Sequence, residues 1–303
     1  MKEKIAVIGI GCVFPDASDF TEYWRNIIER KNSIKDISGQ FWNEADFYDP
    51  DPKALDKMYC KMGAVVDPIE FDSMEFGMSP KVMESTSVEQ LFALITARQA
   101  LIDAGFYGEG ARPFNRKKTG VIVSAIIGEN AFSLSHRTEI PKIERILHNN
   151  GVPDDIIKRV IKRYRESLCD WTEDCNPGYI PNVVAGRIAN RFDLGGTSCC
   201  VDAACGSSLA SLKFAVDELQ NENCDMMIAG GANLDSSPLS YISFCKTPAI
   251  SKTGKIKPFD KDADGMICGD GVGLVVLKRL SDAQRDNDKI YAVIRSVGTS
   301  SDG

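Results

Sequence analysis

The chain has 303 residues, 43% of them apolar and 26% charged, with a formal net charge of −7. That is enough apolar material for a sizeable core in one large domain or two small ones, and no basic surplus of the kind a nucleic-acid binder needs. No apolar run approaches the ~18 residues that span a bilayer, and Ile5–Ile10 is too short for a secretion signal.

Ten cysteines and two histidines are present. The cysteine spacing is irregular, no C-x-x-C pair occurs, and zinc coordination is not expected. The expected compartment is the reducing cytoplasm, with most thiols acting as small buried hydrophobes.

Taken in chain order, Ile5–Ile10 is a β-branched run that predicts a buried strand. Phe20, Trp24, Ile27 and Ile28 then share one face at helical spacing. Val88, Leu91, Phe92, Ile95 and Ile102 predict a second helix, with Thr86 and Glu89 in capping-box register and Gly105 as its stop. Thr119–Ala125 is the next strand. A charged stretch at about 139–168 reads as a helical insertion broken at Gly151–Pro153. It is either an amphipathic hairpin packed on the body or an element of a dimer contact or substrate tunnel. Cys199–Ala203, Asp225–Ala229, Gly273–Leu277 and Tyr291–Val297 complete the strands, and Ser300–Gly303 reads as a turn. Strands alternating with helices predict an α/β layered fold.

Two motifs imitate binding sites. Gly9-Ile10-Gly11 suggests a dinucleotide turn, but positions 14 and 15 are Phe and Pro, so the third glycine is missing and a structural turn is expected. Asp260–Gly265 imitates a calcium loop, but its twelfth position is Gly271, where a bidentate Glu is required. A polar turn held by carboxylate-to-backbone bonds is expected instead.

The chemically informative segment is Val201-Asp202-Ala203-Ala204-Cys205-Gly206-Ser207-Ser208-Leu209. Leu209, Leu212, Val216 and Leu219 mark one face of a helix starting at or just after Cys205. A thiol at such a strand-to-helix turn meets free backbone N–H groups and the positive end of the helix dipole, which favour an anion there. The same amides suit the oxyanion of an attacked thioester. Ala203, Ala204 and Gly206 are small enough for a tight turn with an accessible sulfur. Taken alone, a cysteine among small residues is more often buried packing, the reading that Cys199 and Cys200 also fit.

This segment resembles the nucleophile motif of β-ketoacyl synthases, V-D-x-A-C-S-S-S-L. Further blocks follow in that family's order: Ile5–Pro15, Phe76–Pro80, the helix ending Ala104-Gly105, Asn182–Leu194, Ala229–Ala232, Lys257–Asp260 and Asp264–Leu280. The resemblance covers nearly all of residues 1–303, as the N-terminal region of a ketosynthase. Ser87-Val88-Glu89-Gln90-Leu91 and Phe244–Ser251 are more similar to the iterative synthases of polyunsaturated fatty acids than to modular polyketide synthases.

The resemblance implies a thiolase-like fold, with the N-terminal half complete and the C-terminal half largely missing. It implies that Cys205 accepts an acyl chain from the phosphopantetheine of an acyl carrier protein, with no directly bound cofactor or metal. Decarboxylative Claisen condensation with a malonyl thioester would follow, in fatty acid or polyketide synthesis. The family's H-G-T-G-T and K-x-x-x-G-H histidine motifs do not occur here. His136 and His148 lie in other contexts, so the chain alone is expected to be catalytically incomplete. Partners implied are the carrier protein and a second copy, as a homodimer, or a complementary C-terminal half. Lys252, Lys255, Lys257 and Lys261 form either a carrier-docking patch or an ordinary solvated turn. The alternatives are another thiolase-fold acyltransferase and a non-catalytic or split partner subunit.

Overall fold

A computed structural model describes residues 3–300. Its centre is a mixed six-stranded sheet of β1 (Ile5–Val13), β2 (Thr119–Ser124), β3 (Ser198–Cys200), β4 (Met226–Asn233), β5 (Gly271–Arg279) and β6 (Ala292–Ile294), in the spatial order β3-β2-β4-β5-β1-β6. β2 pairs in parallel with β3 and β4. β5 runs antiparallel to both β4 and β1. The C-terminal ends of β1, β2, β3 and β4 therefore share one end of the sheet.

Alternation along each strand buries both faces. Ile8, Val121, Val123, Ile228 and Val276 face a cluster completed by α2 (Val88–Asp103) and α6 (Asn182–Arg191). Ile5, Ile122, Met227 and Leu277 face α7 (Ser207–Gln220) through Ala215, Val216 and Leu219. Strands in such a three-layer arrangement read as continuous apolar runs because neither face meets water.

Gly9 and Gly11 lie inside β1 rather than in a turn after it. A Cβ on Gly9 would stand 2.5 Å from the Ala100 carbonyl oxygen, and one on Gly11 would stand 2.2 Å from that of Thr96. The two glycines let α2 lie directly on the strand. The expected turn is thus corrected to a close helix–strand crossing.

The start of α2 departs from its expected cap. Ser87 is the N-cap and makes no side-chain capping bond, and the Thr86 hydroxyl donates to the Val82 carbonyl at 2.6 Å. Gly105, with φ +78°, ends the helix as expected. The apolar stripe of α1 (Phe20–Glu29) stays exposed at Trp24, Ile27 and Ile28.

The charged stretch is a helical hairpin of α3 (Asn130–Asn149) and α4 (Asp154–Glu166), starting nine residues earlier than its sequence pattern suggested. It has its own small core around Ile140, Ile157 and Ile161, and the short helix α5 (Cys175–Tyr179) follows it. A further cluster gathers Ile37, Trp42, Met58, Tyr59 and Cys245 around the fully buried Tyr241 of α8 (Pro238–Lys246). Residues 301–303 of the expected terminal turn lie outside the described residues. Among the described residues, no helix is long and apolar enough to cross a membrane.

Candidate active site

β3 delivers the chain to the site. The Val201 amide donates to the Val123 carbonyl at 3.0 Å, extending the pairing with β2 by one bond. The chain then leaves the sheet and tightens into a single 3₁₀ turn, Ala204–Gly206, before α7 begins.

Five hydrogen bonds hold that turn. Asp202 Oδ1 accepts from the Ala204 amide at 2.9 Å, the local carboxylate-to-backbone bond that Asp commonly makes two residues on. Ser207 Oγ accepts from the Ala203 amide at 2.7 Å and donates to the Ala204 carbonyl at 2.6 Å. The Gly206 amide donates to the Ala203 carbonyl at 3.1 Å, and the Ser207 amide to that of Ala204. Cys205's own N–H is the amide of the turn not used in these bonds.

Ala204 has φ +50°, a left-handed conformation that costs an L-residue energy and persists only where the surroundings enforce it. Gly206 has φ −87°, and a Cβ there would meet nothing within 4 Å. The strain therefore sits on the alanine before the thiol. The glycine after it is not required by backbone or space, which corrects the role expected for it.

α7 is seated on the sheet by small residues. Ser211, fully buried, donates to the Gly230 carbonyl at 2.7 Å. A Cβ on Gly231 would lie 2.4 Å from Ser124 Oγ and 3.1 Å from Ser208 Cβ, and one on Gly230 would lie 2.0 Å from the Gly273 carbonyl oxygen. The sequence Ala229–Ala232 and the serines after Cys205 are thus two sides of one contact.

Among the thiols, Cys205 alone is exposed, the others being half-buried or buried. Burial pushes Cys12 and Cys268 up to about 12 and Cys200 up to about 11. Burial, with Glu218 adding repulsion, also raises Cys199. Cys200 Sγ additionally donates to the Pro181 carbonyl at 2.8 Å. These neighbours stay protonated and packed, in keeping with their sequence context.

Two acids near the same end of the sheet, Glu89 buried and Asp270 half-buried, escape the sequence reading. Glu89 is 2% exposed, and its Oε2 has no hydrogen-bond partner among the described residues. Burial pushes its carboxyl up to about 7, with Glu129 and Asp235 adding repulsion and hydrogen bonds from its own amide and the Ser87 hydroxyl opposing. Asp270, just before β5, is raised to about 6, chiefly by burial, while a bond with Ser236 opposes. Nothing in the sequence around Glu89 separates a buried acid from a helix-capping partner.

The remaining sequence candidates lie elsewhere. His136 and His148 are exposed on α3. In the Asp260–Gly265 turn, Asp260 Oδ1 accepts from the Asp262 amide at 2.8 Å, and Asp264 Oδ2 accepts from the Thr253 amide at 3.0 Å. These are the bonds expected of a polar turn. A cavity of about 760 Å³ opens at the opposite end of the sheet from Cys205, where Thr119 and Met226 begin β2 and β4. Its charges pair with one another, as in Arg279 with Asp225 and Arg112 with Asp288, both at 2.8 Å.

The chain matches the family model "Beta-ketoacyl synthase, N-terminal domain" over residues 2–283. It is 35% identical over 304 aligned residues to one component of the polyunsaturated fatty acid synthase of Thraustochytrium sp., covering 100% of this chain and 11% of that protein. Polyketide synthase PksL of Bacillus subtilis is 32% identical, with 100% and 6% covered. The oxazolomycin ketosynthase domain OzmH KS7 of Streptomyces albus JA3453 superposes with a TM-score of 0.77 at 29% identity, covering 97% of this chain and 45% of that one. The module 6 ketosynthase of the bacillaene synthase of Bacillus subtilis 168 gives 0.73 at 29%, with 96% and 42% covered. The chain thus spans less than half of these solved ketosynthases and about a tenth or less of the two curated relatives. The α/β layers are those of the thiolase-like ketosynthase fold. By sequence over nearly its whole length and by structure, the chain belongs to the β-ketoacyl synthase family, within its N-terminal domain.

Proposed function

We propose that Cys205 is the acyl-accepting thiol of a condensing enzyme. The observation that carries this reading is the turn itself. It holds one exposed cysteine just before α7, behind a strained Ala204 and with an amide that bonds nothing among the described residues, while the neighbouring Cys199 and Cys200 are partly covered. Backbone strain enforced by specific hydrogen bonds is expected where a side chain must be presented in one position.

In the proposed reaction the Cys205 sulfur attacks the carbonyl of an acyl thioester carried on phosphopantetheine. The Cys205 N–H meets the oxyanion as it forms. Collapse breaks the carrier's C–S bond, and the departing thiolate takes a proton, leaving the acyl group on Cys205. A malonyl thioester then loses carbon dioxide. Its carbanion attacks the acyl-Cys205 carbonyl and expels the cysteine thiolate, giving a β-ketoacyl thioester two carbons longer. Residues 1–303 supply the nucleophile and its amide. The histidine motifs that resemblance assigns to the second step are not among them.

Leu209 and Phe214, exposed on α7, and the edge position of β3 favour association with a second copy or a complementary chain. The test of the reaction is product formation by the full polypeptide from an acyl and a malonyl thioester. A β-ketoacyl product that disappears in Cys205→Ala is expected. A product retained by Cys205→Ala would refute the role.

A further inference from the structure

The hairpin stands apart from the three layers but is rooted beside Cys205. It leaves the sheet after the C-terminal end of β2, and the thiol follows the C-terminal end of β3, the adjacent parallel strand. The Arg137 guanidinium fixes the far end of α4: Nε donates to the Cys169 carbonyl at 2.6 Å, and one Nη donates to the Leu168 carbonyl at 3.2 Å. A partner resting on α4 would stand at the same end of the sheet as the thiol.

On a chain of net charge −7, the 13 residues of α4 carry five cations: Lys158, Arg159, Lys162, Arg163 and Arg165. Its three carboxylates, Asp154, Asp155 and Glu166, sit in the first turn and at the last residue, so the middle of the helix is purely cationic. Helical spacing sets Lys158 beside Lys162 and Arg159 beside Arg163, turned away from the buried Ile157 and Ile161. Like charges at this spacing repel and weaken the helix. The fold gains little from those in the middle of the helix, since the favourable dipole end is reached only by Arg163 and Arg165.

The cations are also available. Arg159–Asp155 at 3.2 Å, Lys162–Glu166 at 3.8 Å and Arg165–Glu144 at 3.8 Å are exposed on both sides, and such pairs are weak and screened by salt. Among the described residues, no carboxylate pairs with Lys158 or Arg163. Ile156 and Val160 are exposed one turn apart on the same helix, with Arg163 on their row. Aliphatic side chains interleaved with cations suit an acidic, amphipathic protein surface better than a small anion or a nucleic-acid backbone.

From this surface we infer that the Lys158–Arg165 face of α4 docks the acidic carrier domain that brings the acyl thioester to Cys205. The inference rests on Cys205 being the acyl acceptor. The lysine loop is the poorer surface for the same partner. Lys252, Lys255, Lys257 and Lys261 share their segment with Asp260, Asp262 and Asp264, a surplus of one against two on α4, and Lys257 Nζ is spent on the Asp262 carbonyl at 3.1 Å.

The test reverses Lys158, Arg159, Lys162 and Arg163 to Glu in the full chain and compares two donors. One is an octanoyl group on an acidic acyl carrier protein, the other octanoyl-N-acetylcysteamine. Acylation from the carrier is expected to fall at least tenfold, through KM, while the small thioester changes less than twofold. Gln at the same four positions, which adds no repulsion, is expected to give an intermediate loss. Glu at Lys252, Lys255 and Lys261 is expected to change neither donor more than twofold. Carrier acylation unaffected on α4, or lost instead on the loop, overturns the inference. Equal loss on both donors with a fall in sedimenting mass makes α4 a contact between copies and also overturns it. If neither donor labels the unaltered chain, the acyl-acceptor reading fails. The Kd of unloaded carrier then decides docking separately: weakening on reversal supports it, and an unchanged value refutes it.

Discussion

Ser207 Oγ donates to the carbonyl of Ala204 at 2.6 Å, and so ties the left-handed residue before Cys205 to the first residue of α7. The same oxygen accepts from the Ala203 amide. Ser207→Ala removes both bonds and leaves the strained residue unsupported. A loss of about 1–2 kcal/mol in denaturant unfolding is expected from the missing hydrogen bonds. Acylation of Cys205 is expected to slow by more than that loss explains, because the turn positions the sulfur. Unchanged acylation at wild-type stability would separate the turn from the chemistry.

Gly11→Ala places a Cβ 2.2 Å from the Thr96 carbonyl oxygen and 2.8 Å from the Ala100 amide nitrogen, both backbone atoms of α2. Strand and helix must separate, and overpacking of this kind costs about 1–3 kcal/mol or more. Thermal unfolding should show the drop, whereas Gly206→Ala, facing open space, should leave the midpoint nearly unchanged.

Glu89 makes stability depend on pH. In the unfolded chain its carboxyl titrates near 4.5; in the fold, burial first and the charges of Glu129 and Asp235 second push it up to about 7. The folded state therefore holds the proton more tightly. The associated stability is complete below pH 4.5, declines as pH rises, and is gone above about 7. Asp270, raised to about 6, acts in the same direction. Glu89→Gln cannot ionise. Its stability should fall less between pH 4.5 and 8, gaining about 1–3 kcal/mol on the parent across that range. Urea midpoints measured at pH 4.5, 6 and 8 check the sign, and parallel curves would contradict it.

Much of this is legible in the sequence. β-branched runs locate the strands because burial on both faces leaves no polar alternation to blur them. Cys205 stands out through the small residues around it and the apolar spacing that follows in α7. The hairpin shows through its own helical periodicity at Ile143, Ile146 and Leu147, although α3 starts thirteen residues before the first of them. What stays hidden depends on contacts between distant segments. The fit of Gly9 and Gly11 against α2 needs residues some ninety positions away. The positive φ at Ala204 is set by Ser207 and Asp202 together, and composition points to Gly206 instead. The burial of Glu89 and the partial burial of Asp270 follow from layers closing over the sheet end, which local patterns do not encode. The stripe of α1 shows the converse: its periodicity is clear, yet most of that face is exposed among the described residues.

The most direct test is the position of the acyl group after brief incubation with octanoyl-N-acetylcysteamine, read by mass spectrometry of the tryptic peptides. An octanoyl mass increment on Cys205, absent in Cys205→Ala and slowed in Ser207→Ala, is the expected result. Label on another cysteine, or label that persists in Cys205→Ala, would contradict the assignment of Cys205 as the acyl acceptor.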